Sequence, residues 1–130
     1  MSKKILVVDD DPDVRLFNLT VVEENGYTAI EAADGLEGKE MIKTHHPDLV
    51  ILDVLMPRQS GIRLYREIKT DSKLGPLPVI VLSGIAEKSF LRSQKVLTEF
   101  GGKPVPKPEA YLEKPVEADD LAKTIKNVLA

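Results

Sequence analysis

The sequence predicts a doubly wound α/β fold, a parallel sheet with helices on both faces. Two observations carry this: short apolar runs recur along the chain, and stretches with helical apolar spacing fill each interval between them. The runs are too uniformly apolar for strands with one wet face, so they read as strands buried on both sides. Strict alternation of strand and helix demands crossover connections, and those produce parallel neighbours.

The first run is Ile5 to Val8. A helix follows it, with Asp11 as cap, Pro12 in its first turn, Val14, Phe17 and Val21 at helical spacing, and Asn25-Gly26 as the stop. Thr28 to Ala32 is the second run. Asp34-Gly35 then opens a shorter helix carrying Leu36, Met41 and Ile42, closed before Pro47 and weakened by Gly38. Leu49 to Leu52 is the third run, and Ser60 is the expected cap of a helix bearing Ile62, Leu64, Tyr65 and Ile68. The Leu74-Gly75-Pro76-Leu77-Pro78 stretch breaks the chain before the fourth run, Val79 to Leu82. A fourth, rather polar helix uses Phe90, Leu97 and Phe100, a weak fifth strand holds Tyr111-Leu112, and the last helix uses Leu121, Ile125, Val128 and Leu129. One domain over residues 1–130 is expected.

Composition narrows the function. The 130 residues contain no cysteine, which excludes disulfides, thiolate metal sites and cysteine nucleophiles. A formal charge of −3 argues against a nucleic-acid binder. No apolar run reaches the ~20 residues that a bilayer requires, and the N-terminus lacks a secretory pattern, so a cytoplasmic protein is expected. His45 and His46 precede Pro47 at a helix end, away from the acids, and read as a helix terminus rather than a metal or relay pair.

In open α/β sheets, ligands bind beyond the carboxyl ends of the strands. The polar residues at those ends are Asp9, Asp10, Asp53, Ser83 and Lys114. Each alone has an ordinary explanation: a cap, a strand end, a loop hydroxyl, a surface lysine. Together they place three carboxylates, a hydroxyl and an ammonium on one sheet edge. A hard cation such as Mg²⁺ takes carboxylate oxygens, for which Asp10 and Asp53 would suffice. A carboxylate is also a competent nucleophile for phosphoryl transfer when nearby charge is neutralised, with Lys114 supplying charge and Ser83 a hydrogen bond.

These residues carry a close resemblance to the receiver domain of two-component response regulators, in the single-domain form typified by chemotaxis proteins. Ile5-Leu6-Val7-Val8-Asp9-Asp10 resembles its opening strand and acid pair, and Asp53-Val54-Leu55-Met56-Pro57 with Gly61 resembles its phosphoacceptor segment. Val79-Ile80-Val81-Leu82-Ser83 and Tyr111-Leu112-Glu113-Lys114-Pro115 match its hydroxyl and lysine segments. The resemblance implies five strands in the flavodoxin-like order 2-1-3-4-5 with five helices and a cis Lys114-Pro115 bond. It implies Asp53 as phosphoacceptor; Asp10, Asp53 and the Leu55 carbonyl as Mg²⁺ ligands, with Asp9 acting through water; and Lys114 on the phosphoryl oxygens. It further implies a switch in which Ser83 moves inward, Tyr111 turns from exposed to buried, and the surface of the fourth helix, fifth strand and fifth helix changes. The partners so implied are a sensor histidine kinase or histidine phosphotransfer protein and a downstream protein target. The protein would be a phosphorylated switch that assists its own chemistry, and not a metabolic enzyme.

Two departures stand out against the family. Ser83 and Lys114 are 31 positions apart, more than the family's usual spacing, and the excess falls on Gly101-Gly102-Lys103-Pro104-Val105-Pro106-Lys107-Pro108. Alternating prolines make this an extended loop, read either as a neutral surface insertion or as a modifier of the partner-binding face. Leu55 and Ile85, two beyond Asp53 and Ser83, are apolar and cannot orient an attacking water, which predicts a long-lived phosphorylated state. The rival readings are a haloacid-dehalogenase-type aspartyl phosphatase, for which the chain offers no substrate-selecting cap, and a phosphorylation-independent interaction module, which would have lost some of these residues.

Overall fold

A computed structural model describes residues 2–99 and 104–130. The strands are β1 (Lys4–Val8), β2 (Thr28–Ala32), β3 (Leu49–Leu52), β4 (Val79–Ser83) and β5 (Ala110–Glu113). The helices are α1 (Pro12–Glu24), α2 (Gly35–His45), α3 (Ser60–Thr70), α4 (Glu87–Glu99) and α5 (Ala118–Leu129), with a 3₁₀ turn at Pro57–Gln59. All strand pairs are parallel, in the order β2-β1-β3-β4-β5, which is the expected topology.

Strand side chains alternate between two cores. Leu6, Val8, Val50, Leu52, Val79 and Val81 pack with Ile42, Leu64, Tyr65, Ile68 and Phe90 from α2, α3 and α4. Ile5, Val7, Leu49, Ile51, Ile80 and Leu82 pack on the other face with Leu19, Val21 and Val22 of α1 and Leu121 and Ile125 of α5. This two-sided burial explains why the runs in β1, β3 and β4 are apolar at successive positions rather than at every second one, whereas the edge strand β2 carries exposed Thr28 and Glu31.

Helix ends follow the chemistry of their caps. Asp11 Oδ1 accepts from the amides of Asp13 and Val14 at 2.9 and 3.3 Å, with Pro12 at the first helical position. Gly26 then leaves α1 at φ +87°, a backbone region glycine enters without cost. Asp34 Oδ1 accepts from the Glu37 amide at 2.8 Å, and Glu37 reaches back to the Ala33 amide. The left-handed His46 closes α2, so His45 and His46 are a helix terminus, as expected. Gly38 is no defect: a Cβ there would lie 2.9 Å from Leu64 Cδ2 and 3.2 Å from Val8 Cγ2, so its small size lets α2 sit close to the sheet.

Several local expectations are corrected. The apolar spacing placed Phe17 on the inner face of α1, yet Phe17 is 41% exposed while Asn18, Leu19, Val21 and Val22 are buried. Leu36 and Leu97 are likewise exposed, and Phe100 lies outside the described residues. Ser60 does not cap α3. The 3₁₀ turn begins at Pro57, and Ser60 starts the helix itself with its Oγ buried and without a partner among the described residues.

Of the extended 101–108 segment, Gly101, Gly102 and Lys103 lie outside the described residues. The described part, 104–108, has no regular structure but is fastened to the body: Val105 packs against the α2–α4 core and the Tyr65 hydroxyl donates to the Pro106 carbonyl. Lys69, whose side chain is fully buried, donates to Glu109 Oε1 at 2.6 Å and to the Leu77 carbonyl at 3.1 Å. Glu109 Oε1 also accepts from the Val79 amide at 2.7 Å.

Candidate functional site at the carboxyl edge of the sheet

The site begins where the strands end. Asp9 N–H donates to the Ala32 carbonyl at 3.1 Å, Asp53 N–H to Val8 at 3.0 Å and Lys114 N–H to Ser83 at 2.8 Å. These bonds carry the ladder one residue past β1, β3 and β5, so the backbone of each polar residue is held as firmly as a strand. Asp9, Asp53 and Ser83 are buried, whereas Asp10 faces solvent.

Asp9, Asp10 and Asp53 each offer a carboxylate oxygen, all within 4.8 Å of one another. Repulsion among them is relieved by Lys114, whose Nζ lies 3.0 Å from Asp9 Oδ2 and 3.3 Å from Asp53 Oδ2. The other Asp53 oxygen, Oδ1, accepts from the Leu55 amide at 2.8 Å. Asp9 Oδ1 accepts in the same way from the Asp11 amide at 3.0 Å. The two buried acids are thereby held in set orientations.

Burial pushes the Asp53 carboxyl above its ordinary value, with the Asp9 charge adding to the effect, and the Leu55 amide and Lys114 only partly offset this. Burial alone would lower the Lys114 ammonium. Its hydrogen bond to Asp9 and the charges of Asp53 and Asp9 outweigh that, and the net shift is upward. The lysine therefore stays cationic at neutral pH.

The donor set is made only of oxygens, with no imidazole or thiol near it, and fits a hard divalent cation rather than a softer one. Ser83, the last residue of β4, presents its Oγ at this edge, where it accepts weakly from the Ile85 amide at 3.5 Å and interacts with the Tyr111 hydroxyl. Tyr111 is partly buried, with its hydroxyl donating to the Ile85 carbonyl at 2.7 Å. Leu55 projects outward beside Asp53 and is 55% exposed, while Ile85 packs partly against the core. The Lys114-Pro115 bond is cis, as expected.

The five strand-end residues, Asp9, Asp10, Asp53, Ser83 and Lys114, thus lie at this edge. Three supporting residues were missed. Arg15 donates to the Asp9 carbonyl at 2.8 Å and pairs with Glu31, a role hinted at only by its position one turn beyond the Asp11 cap. Phe90 packs at a tilt against Tyr111 and Tyr65 meets Phe90 edge-on, and nothing in their spacing along the chain announces it. Gly61, noted only as part of a motif, acquires a physical reason: a Cβ there would lie 2.2 Å from the Asp53 carbonyl oxygen.

The family model of the response regulator receiver domain matches residues 5–126. The polar-differentiation response regulator DivK of Brucella ovis is 31% identical over 130 residues, covering 99% of this chain and 98% of its own length. Among solved structures, the chemotaxis response regulator CheY4 of Vibrio cholerae superposes with a TM-score of 0.81 at 26% identity, covering 99% of this chain and all of that one. A CheY-like receiver domain protein from Methanospirillum hungatei does so with a TM-score of 0.79 at 29% identity, covering 99% of this chain and 94% of that one.

Proposed function

Because the chain belongs to the response regulator receiver family, whose members are phosphoacceptor signalling switches, we propose that Asp53 is the residue that accepts the phosphoryl group. The observation that carries this reading is the Asp53 carboxylate itself. It is buried at the sheet edge, with one oxygen on the Leu55 amide and the other 3.3 Å from Lys114. Asp53 attacks the phosphorus of a phosphohistidine; a P–O bond forms, the P–N bond breaks and the imidazole leaves. Lys114 is placed to exchange part of its carboxylate contact for the incoming phosphoryl oxygens, and Ser83 to donate its hydroxyl to them.

The carboxylates of Asp9, Asp10 and Asp53 fit Mg²⁺, which Asp10 and Asp53 would hold together with the Leu55 carbonyl, with Asp9 acting through water, as the family resemblance implies. When bound, it supplies positive charge against the phosphoryl oxygens. Movement of Ser83 toward the phosphoryl group alters the space beside Tyr111, whose hydroxyl exchanges its partner, and α4, β5 and α5 present a changed surface to a downstream protein. The family implies a histidine kinase or phosphotransfer protein as phosphodonor. Residues 1–130 act as one receiver unit. No helix among the described residues is long and apolar enough to cross a membrane, and we assign the protein to the cytoplasm.

The aspartyl-phosphatase reading and the phosphorylation-independent reading are not favoured, since the family match spans nearly the whole chain and all five site residues converge. The deciding experiment is incubation with a small-molecule phosphodonor and Mg²⁺, followed by intact mass. One added phosphoryl group on the parent chain and none on Asp53→Asn is expected. An unmodified parent chain would overturn the assignment.

A further inference from the structure

Tyr111 is the first of three aromatic rings in contact. Its ring meets Phe90 at a centroid distance of 5.6 Å and an angle of 45°, and Phe90 meets Tyr65 edge-on at 5.2 Å and 82°. Phe90 and Tyr65 are both fully buried, so neither ring has free volume into which it could absorb a displacement. The chain of contacts does not stop at Tyr65. Its hydroxyl donates to the carbonyl of Pro106, within the segment that lengthens the connection between Ser83 and Lys114.

Besides the packing of Val105 on the core, that segment is held by hydrogen bonds at two points of different character. At Glu109 it is pinned by buried Lys69 and by the backbone of β4: the Val79 amide donates to the Glu109 carboxylate and the Glu109 amide to the Val79 carbonyl at 3.0 Å. Val79 belongs to the same core as the rings, and the Glu109 charge reaches the Tyr65 hydroxyl, but the hydrogen bonds that fix Glu109 run to Lys69 and to the β4 backbone. At Pro106 the attachment is one hydrogen bond to a ring that packs on Phe90, beside Val105, which packs into the core that holds both rings. Pro104, Pro106 and Lys107 are exposed to solvent.

We propose that residues 104–108 form a second, phosphorylation-sensitive surface, coupled to Asp53 through Tyr111, Phe90 and Tyr65. The proposal rests on the switch described above. Tyr111 changes its hydroxyl partner, Phe90 follows the ring it packs on, and Tyr65 shifts its hydroxyl relative to the Pro106 carbonyl. Close-packed rings move between discrete arrangements rather than deforming smoothly, which is what allows a sub-ångström change to be transmitted. Glu109 stays fixed and acts as the pivot. The segment read from the sequence as an insertion thereby reports the state of the site on a side of the molecule away from α5.

Because the chain lacks cysteine, Lys107→Cys carries a trifluoromethyl tag at one position only. Fluorine NMR with Mg²⁺ and beryllofluoride, a phosphoryl analogue, reads two things in one sample: the bound analogue and the tag. The expected result is a tag resonance that shifts as the bound-analogue signal saturates, with the shift reduced by about half or more in Tyr65→Phe. Tyr65→Phe keeps the ring and deletes only the hydroxyl, and Phe90→Leu, where it folds, has the same effect. A saturated analogue signal with an unmoved tag overturns the coupling, as does an undiminished shift in Tyr65→Phe. Failure to bind the analogue at all overturns the Asp53 reading, and the coupling with it.

Discussion

Asp53 opposes the fold it sits in. Its carboxyl is raised above the ordinary value of 3.8 chiefly by burial, so folding favours its protonated form. The stabilising effect of that form is present at low pH and is lost as pH rises through the folded value; at neutral pH the ionised group is a net cost. Asp53→Asn should therefore raise unfolding stability by about 1 kcal/mol in Mg²⁺-free urea titrations while abolishing phosphorylation. A stability loss would mean that its contacts with Leu55 and Lys114 outweigh burial. Leu55 and Ile85 set a different property. The first stands exposed beside the acid and the second is partly packed, and neither carries a group that could hold a water in line. Introducing such groups with Leu55→Asn and Ile85→Glu together should speed loss of the phosphoryl group about tenfold, followed as decay of the phosphorylated mass. An unaltered decay would remove the idea of a slow reset.

Elements meet the site through close backbone approaches, and glycine permits two of them. A Cβ on Gly61 would lie 2.2 Å from the Asp53 carbonyl and 2.7 Å from Val54 Cα, and both are backbone atoms that cannot step aside. Gly61→Ala should cost on the order of 3 kcal/mol in thermal or urea unfolding and slow phosphorylation, since relief requires α3 or the end of β3 to move. Gly35 holds α2 against the Ser60 carbonyl under the same restriction. Lys69 joins elements by charge: Lys69→Ala should cost about 2 kcal/mol, because it takes a donor from the Leu77 carbonyl and leaves the Glu109 carboxylate without its buried cation. At this scale the sequence was legible where burial or a cap decides the outcome. Continuous apolar runs marked β1, β3 and β4, and Asp11, Asp34 and the His45-His46 end marked the helices. It was less legible where a helix merely turns about its axis. The inner face of α1 includes buried Asn18 and leaves Phe17 outside, because Leu19, Val21 and Val22 are the residues turned into the core and that orientation carries Phe17 outward. The start of α3 was displaced because Pro57 and left-handed Arg58 form a turn that apolar spacing does not encode.

Over the whole molecule, the site could be foreseen because a parallel sheet gathers its strand ends, so residues as far apart as Asp9 and Lys114 needed no local signal to meet. The rings of Tyr65, Phe90 and Tyr111 had no such rule to reveal them. They come from α3, α4 and β5 and meet only inside one core. This cluster also determines how the molecule responds to alkali. Burial is the main reason that the Tyr111 hydroxyl is pushed up to about 12 from an ordinary 10.0, and burial raises Tyr65 as well. A raised folded value means that the neutral phenol is favoured by the fold. The stabilisation is complete below pH 10 and is lost as pH climbs toward 12, where the unfolded chain ionises first. Tyr111→Phe removes that titration together with the hydrogen bond to Ile85. The variant should be less stable than the parent by about 1 kcal/mol at neutral pH. Between pH 10 and 12 the parent loses the contribution of its phenol and the variant does not, so the gap should narrow and then close. Urea unfolding of both proteins across that range measures the gap directly, and lysine titrations common to the two cancel in the difference. A gap that stays constant would show that Tyr111 ionises as readily in the folded chain as in the unfolded one, and that its hydroxyl is not held inside.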